Sequence, residues 1–507
     1  MMRGFIYKYR QVLQFLLVAA IFSLSYTQEP IYNSPEYSDG NQNTKFFHGL
    51  ARAGFGLLNE DWLASTLDPL PAFTFLVQLT YQSIHSNAFY VYYALLMGVY
   101  VYSILGIVNI AFKIKESRAK YLFYLALFLV VHTVNLQLGN FDTAWYLQAG
   151  VAQQYILGPV FQPCNFGAFI LLSIWLFLSQ RYLWSVAALA IAATFHPAYI
   201  FSSAVLTLSY VLFLFPFNLR KALLIGSTSF LLTLPVLSYT YFRFTATTSE
   251  LQQQATDILV NFRIPYHAVT EVWLADGTAH IQTLIVILAL YLIRNTPLFK
   301  ILFVPFLIAF YLSFFQAIAS NDFLAFLSPW RLSVFLVPTA TALILAALTA
   351  YLFQIQKQII KPKLLIVVSL ATIGFLSFQG LTQQIALFTY RGESTPMLNF
   401  VRRNKHSGET YLVPPNSQQL QKFRLYTGAP IFINKKSHPY KDVEILEWYR
   451  RLNLATAVYE SEGDRCSLLH SLSTEYSITH VVSQQNFNCS FLKQVYQDSH
   501  YQISKIL

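Results

Sequence analysis

The sequence predicts a polytopic α-helical membrane protein with a small extracytoplasmic α/β domain at its carboxy terminus. Three observations carry that prediction. Of 507 residues, 55% are hydrophobic and only 11% are charged, against roughly 25% charged in an ordinary soluble chain. Apolar runs long enough to cross the hydrocarbon core of a bilayer recur from residue 11 to residue 380. Lysine and arginine collect in every second loop between those runs. The net charge of +11 therefore reports topology. A nucleic-acid partner would need these cations on one soluble face, and they are dispersed among short loops.

The runs centre on residues 11–26, 88–111, 120–136, 165–180, 182–198, 200–216, 222–241, 279–293, 299–318, 332–353 and 364–380, which makes about eleven transmembrane helices in a domain spanning 1–384. A cytoplasmic amino terminus places Arg3, Lys8, Arg10, Lys113, Lys115, Arg118, Lys120, Arg181, Arg220, Lys221, Arg294, Lys300, Lys357, Lys361 and Lys363 inside. The outer loops keep only Lys45, Arg52, Arg243, Arg263 and Arg331. This asymmetry orients the chain N-in and C-out. The first run resembles a signal peptide as much as an anchor, but its cleavage candidates SLS and SYT lack the favoured alanines, so an uncleaved anchor is expected.

Acidic residues run the other way. Asp39, Glu60, Asp61, Asp68, Asp142 and seven further acids fall in outer loops, and Glu116 is the acid of the short inner ones. The first outer loop spans 27–87, and within it residues 41–57 and 70–84 show helical spacing of apolar residues but are too short or too polar to span; they read as interfacial helices.

After Gly380 the composition becomes that of a soluble domain, taken as 385–507. Strand-like runs occur at Thr410–Pro414, Ile431–Ile433, Ile478–Val482 and Gln502–Ile506, and helices are expected at 442–455 and 490–498, which assemble as a small α/β domain. Cys466 and Cys489 lie in this tail, where an oxidising compartment permits a disulfide. The segment KKSHPYKDVEILEWYRR is expected to pack as a solvated helix on the sheet, with a role over the mouth of a site as the alternative.

Ionisable residues at the outer ends of the spans are the candidates for function. Asp39, in SPEYSDGNQN, is placed to take a proton from an acceptor hydroxyl at the membrane surface, and it equally suits a helix N-cap. Glu60 and Asp61 are adjacent, with Asp68 close by; paired carboxylates share a proton or bind a divalent cation, although Asp61 also reads as a cap. Asp142 opens the second outer loop beside Trp145 and Tyr146, with no basic residue near it in sequence. His196 in TFHPAY and Arg331 in SPWRLSVF stand at headgroup depth, where Arg offers two parallel N–H donors to a phosphate. Arg263 and His267, four apart around a proline, form a second cationic contact for phosphate or substrate. No HExxH, GxSxG or Walker loop occurs.

The acidic first loop with interfacial helices, the acid in the second outer loop, the many spans and the extracytoplasmic tail together resemble the GT-C superfamily of membrane glycosyltransferases. The chain is similar also to bacterial polytopic membrane proteins with the same kind of HGLARAGFGLLNEDWLASTLDP loop, FHPAY segment and KSHPYKDVEILEWYRR tail. The resemblance implies an inverting transferase in the bacterial cytoplasmic membrane. It would take a sugar from a polyprenyl-phosphate donor and pass it to a glycan, lipid or protein acceptor. Asp39, then Asp61, stand for the first-loop carboxylate and Asp142 for the second-loop acid; His196, Arg263, His267 and Arg331 would bind the donor phosphate. The family's first loop often carries an acidic pair, whereas Gly40 follows Asp39. A secondary transporter, or a non-catalytic partner in envelope polysaccharide synthesis, is the rival reading; against the transporter, no internal repeat is found and the ionisable residues gather at one face.

Overall fold

The computed structural model describes residues 2–26, 40–138, 141–275, 277–319, 321–355, 361–461 and 463–507. Helix α1 (Met2–Tyr26) is followed by the short helices of the first loop, α2 (Gly40–Lys45), α3 (Phe47–Arg52) and α4 (Pro71–Ser83). Then come α5 (Ala88–Phe112), α6 (Arg118–Thr133), a ribbon of β1 (Gln137–Leu138) and β2 (Phe141–Asp142), α7 (Thr143–Gln148), α8 (Ala168–Leu178), α9 (Tyr182–Phe195), α10 (Ile200–Leu214) and α11 (Leu219–Arg243). Four short helices, α12 (Ser249–Asp257), α13 (Pro265–Ala268), α14 (Thr270–Leu274) and, further on, α17 (Asp322–Leu327), flank the long α15 (Thr278–Leu292), α16 (Pro297–Ala319), α18 (Ser333–Ile355) and α19 (Pro362–Thr389).

Every expected apolar run is thus helical. Among the described residues, six segments are long and apolar enough to cross a membrane: Ala88–Phe112, Pro197–Leu214, Leu219–Arg243, Pro297–Ala319, Asp322–Ile355 and Pro362–Thr389. Gln11–Tyr26, Pro163–Leu178, Tyr182–Phe195 and Thr278–Leu292 are shorter apolar helices. This is the composition of a helical polytopic membrane protein. Helix α6, which carries Arg118, Lys120 and His132, falls in neither group.

Helix α1 packs against α5 and α19. Its Ser25 Oγ meets Ser377 Oγ at 3.0 Å, and a Cβ at Gly380 would collide with the Leu24 carbonyl. Small residues let these two backbones approach closely, as membrane helix interfaces commonly require. Of the two helices expected in the first loop, that at 70–84 forms as the continuous α4, whereas 41–57 is broken into α2 and α3; α3 packs against α4, and 3₁₀ turns follow at Leu58–Glu60 and Trp62–Ser65.

The tail is a three-layered α/β domain. Its sheet has the order β3-β4-β6-β5, from β3 (Tyr411–Leu412), β4 (His480–Ser483), β5 (Leu492–Gln497) and β6 (Gln502–Ile506); β3 runs parallel to β4 and the other pairs are antiparallel. Side chains alternate between faces. Tyr411, Val482 and Ile503 pack with α20 (Thr395–Asn404) and α21 (Phe423–Thr427) on one side. Leu412 and Val481 pack with Trp448 and Leu452 of α22 (Asp442–Glu460) and Leu469 and Leu472 of α23 (Arg465–Tyr476) on the other.

The helix expected at 490–498 is corrected to strand β5. The Asp498 carboxylate accepts from the N–H groups of His500 and Tyr501, each at 2.7 Å, and so closes a hairpin turn that pairs β5 with β6. Ile431, expected in a strand, makes only an isolated bridge to Tyr411.

Cys466 and Cys489 are paired, with Cα atoms 5.5 Å apart and 23 residues of separation, and they tie α23 to the segment before β5. Replacing both with serine is expected to cost the tail about 3 kcal/mol through restored loop freedom in the unfolded chain, measured as a lowered midpoint of denaturant unfolding.

Candidate functional site

The acidic first loop docks onto the tail. Asp61 Oδ2 accepts from Arg424 Nε at 2.7 Å and from the Ile431 N–H at 2.9 Å. Its Oδ1 accepts from Arg424 Nη2 at 3.0 Å and from the Leu63 N–H at 2.9 Å, the bond that caps the 3₁₀ turn. With side-chain exposures of 0% for Asp61 and 2% for Arg424, this is a buried, two-point ion pair. Around it, the Leu57 N–H donates to the Gly428 carbonyl at 2.7 Å, and Glu60 accepts from Ser407 Oγ and the Gly408 N–H, both at 2.8 Å. Gly56, at φ +58°, lies so close to Gly428 that any side chain would strike it. The Leu67 N–H donates to Glu444, and the Arg451 guanidinium covers Trp62 at 4.4 Å.

These contacts correct the catalytic assignment of Asp61. All four donors reaching its carboxylate are protein groups in a buried joint, which leaves no lone pair for an acceptor's proton. Glu60 and Asp61 likewise do not act as a pair, because each is engaged by different tail groups. Asp68 accepts from Leu70 N–H and Thr74 Oγ1 and pairs with Arg52 at 3.1 Å. Among the described residues, no three His, Cys, Asp or Glu side chains gather to hold a metal. Asp39 lies outside the described residues, immediately before α2; Asp142 is described only by its backbone, at the end of β2.

The four phosphate-binding candidates, His196, Arg263, His267 and Arg331, in contrast, lie near one another. Arg331 lies in the 3₁₀ turn Pro329–Leu332 that leads into α18, and its Nε donates to Gln154 Oε1 at 2.6 Å, while the Gln154 Nε2 is buried and has no hydrogen-bond partner among the described residues. Trp330 Nε1 donates to the His267 carbonyl at 2.9 Å, which fixes the α13 turn beside Arg331. His267 Nδ1–H donates to the Ala152 carbonyl at 2.6 Å; its Nε2 is therefore the ring nitrogen with the lone pair. Arg263 donates from Nε to His438 Nδ1 at 3.2 Å and from Nη2 to the Lys436 carbonyl at 2.8 Å. His196, in the break between α9 and the turn leading to α10, has its edge against Tyr199 and a buried Nδ1 with no hydrogen-bond partner among the described residues, and it lies in the field of Arg331 and Lys45.

Three further groups complete the cluster. Lys45 at the end of α2 donates to the Tyr440 hydroxyl at 3.1 Å, and Thr44 meets Ser437 at 3.1 Å. Burial alone would raise the Tyr440 pKa, yet the charges of Lys45, Arg263 and Arg331 hold it below 10.0. Burial, then Arg263 and Lys45, keep His438 well below 6.5. His438 is thus neutral, with Nδ1 accepting from Arg263 and the proton on Nε2. Among the described residues none of Lys45, Arg263 and Arg331 enters an ion pair. A concentration of positive charge attracts anions, and guanidinium groups match the geometry of phosphate.

Sequence reasoning placed His196, Arg263, His267 and Arg331 at such a site but left Lys45 in an interfacial helix and Lys436, His438 and Tyr440 in a helix-bearing tail. As expected, α22 packs on the sheet, and the residues before it contact Arg263 and Lys45 through Lys436, His438 and Tyr440. The run KKSHPY before an amphipathic helix was the available signal.

Residues 392–455 match a family model described as a domain of unknown function (DUF6798). No curated protein matches the chain. The matched stretch contains every tail residue named above as touching the first loop or the cationic cluster, from Ser407 to Arg451.

Asp61→Asn is expected to leave the Arg424 charge buried without its partner and to destabilise the joint by about 3–5 kcal/mol, read as faster proteolysis between α19 and α20. The histidines make the assembly pH-sensitive. Burial above all lowers the pKa of His267 from 6.5 to about 4, the Ala152 hydrogen bond opposing and Arg331, Lys436 and Arg263 adding. Burial also takes His48 to about 4, with Asp68 opposing. Between those values the unfolded chain binds more protons, so this stability is complete above pH 6.5 and is lost as pH falls towards 4. The thermal midpoint in detergent is expected to drop across that window, less steeply in His267→Gln.

Proposed function

We propose that the protein is a membrane glycosyltransferase of the GT-C kind that moves a sugar from a polyprenyl-phosphate donor to an acceptor at the outer face of a bacterial cytoplasmic membrane. In this reading about eleven helices span, the amino terminus is inside, and the tail is extracytoplasmic. The observation that carries it is the convergence of Lys45, Arg263 and Arg331, without ion-pair partners among the described residues, at the helix ends beneath the tail. A cavity of about 480 Å³, lined by Trp273, Phe306, Phe310, Phe314 and Leu336, adjoins the cluster through Trp330, the neighbour of Arg331. Its size and apolar walls suit part of a lipid chain.

Chemically, an acceptor oxygen attacks the anomeric carbon, the bond from that carbon to the phosphate oxygen breaks with inversion, and a carboxylate takes the acceptor's proton. Asp39 and Asp142 remain the candidates for that base. Negative charge grows on the departing lipid phosphate, where the guanidinium groups of Arg331 and Arg263 and the Lys45 ammonium stabilise it. His267, with a free Nε2, holds Ala152 and the Trp330 turn in place.

Transfer of radiolabelled sugar from a panel of polyprenyl-phosphate donors by the purified protein in lipid tests the reading. Arg331→Gln and Arg263→Gln are each expected to lower turnover by roughly 10²-fold or more, with Asp39→Asn or Asp142→Asn abolishing it. Full turnover in both arginine variants, or none from wild type with any donor, would overturn it.

A further inference from the structure

A second concentration of positive charge lies at the opposite end of α9, a helix length of about 20 Å from His196. Helices α9 and α11 pack side by side, and both begin at a cavity of about 440 Å³ lined by Gln180, Arg181, Tyr182, Trp184, Lys221 and Leu224. Arg181 stands at the N-cap of α9; Arg220 and Lys221 lie in the first turn of α11, and neither helix has an acid in its first turn. A helix N-terminus carries the positive end of the backbone dipole, which favours an anion and disfavours a cation. Here two such ends, with Arg181 and Lys221, face one space. Lys221 Nζ lies over the Tyr182 ring at 5.7 Å. Among the described residues Arg181, Arg220 and Lys221 enter no ion pair, and the sequence has no Asp or Glu from residue 143 to residue 249.

The cavity thus presents two cations without ion pairs among the described residues, and the rim says what kind of anion suits it. Trp184 is 71% exposed, and Leu183 and Leu224 are each 51% exposed. A soluble phosphate has no use for such a rim, whereas acyl chains do, and Trp is favoured at headgroup level. We propose that this cavity binds the phosphate of an anionic phospholipid between Arg181 and Lys221, with its chains along Leu183, Trp184 and Leu224. The site is separate from the tail-facing cluster and independent of transferase activity.

The test adds phosphatidylglycerol, phosphatidylcholine or inorganic phosphate to the detergent-purified full chain and follows thermal unfolding and, by native mass spectrometry, retained lipid. Phosphatidylglycerol is expected to be retained and to raise the midpoint, with neither other probe doing so. Arg181→Gln/Lys221→Gln is expected to weaken phosphatidylglycerol binding roughly 30-fold, while Arg181→Lys/Lys221→Arg keeps it. Equal retention of phosphatidylcholine by wild type overturns the proposal and needs no variant to fold. An equal shift with inorganic phosphate overturns the lipid as occupant. Unchanged phosphatidylglycerol affinity in the double glutamine variant overturns the location.

Discussion

Asp61 and Arg424 meet across 363 residues of chain, in a joint that buries both side chains. Such a pair does not owe its value to net attraction, since desolvating both charges offsets most of the Coulomb gain. Its value is geometric. A carboxylate with four donors and a guanidinium lying over Phe47 at 5.1 Å accept one relative placement of loop and tail. The Gly56–Gly428 approach and the Glu60 contacts follow from that placement, and so does the position of Lys436, His438 and Tyr440 over Lys45 and Arg263.

The joint therefore holds together groups that repel one another. Lys45, Arg263 and Arg331 share one neighbourhood, with Lys436 adding to the field on His267. Neutral histidines and a polarised tyrosine moderate the repulsion but do not cancel it. Concentrated like charge is tolerated where surrounding structure enforces it, and that arrangement is characteristic of sites prepared for an oppositely charged ligand. At the other end of the bundle, positive charge is again unopposed by the described residues, but there it lies at exposed helix ends bordered by apolar side chains.

The helical bundle was legible because lipid makes a local demand: a spanning segment must be apolar along its whole length and satisfy its own backbone. Each run from 88–111 to 364–380 folded as a helix, and six of them lie in segments long and apolar enough to cross a membrane. The 490–498 segment failed for the opposite reason. Its helical reading rested on local residues, while an Asp498-closed turn and pairing with Gln502–Ile506 decided the outcome. Asp61 was read in part: it caps its turn through the Leu63 N–H as expected, while its ion pair lay out of view. Its acidity and loop position suited a base, and nothing near it in sequence announces Arg424.

Apolar periodicity, the lysine and arginine asymmetry and the change of composition after Gly380 established a helical membrane domain followed by an α/β tail, because those features depend on neighbouring residues and on the solvent each segment meets. The candidate site was different. Arg331, Arg263 and His196 could be picked out singly as cations at helix ends, but their convergence with Lys45 and Tyr440, and the conversion of Asp61 from candidate base to joint, arose from contacts between residues hundreds of positions apart. Such contacts exist only once the chain has folded, since burial and the loss of water determine which charges meet.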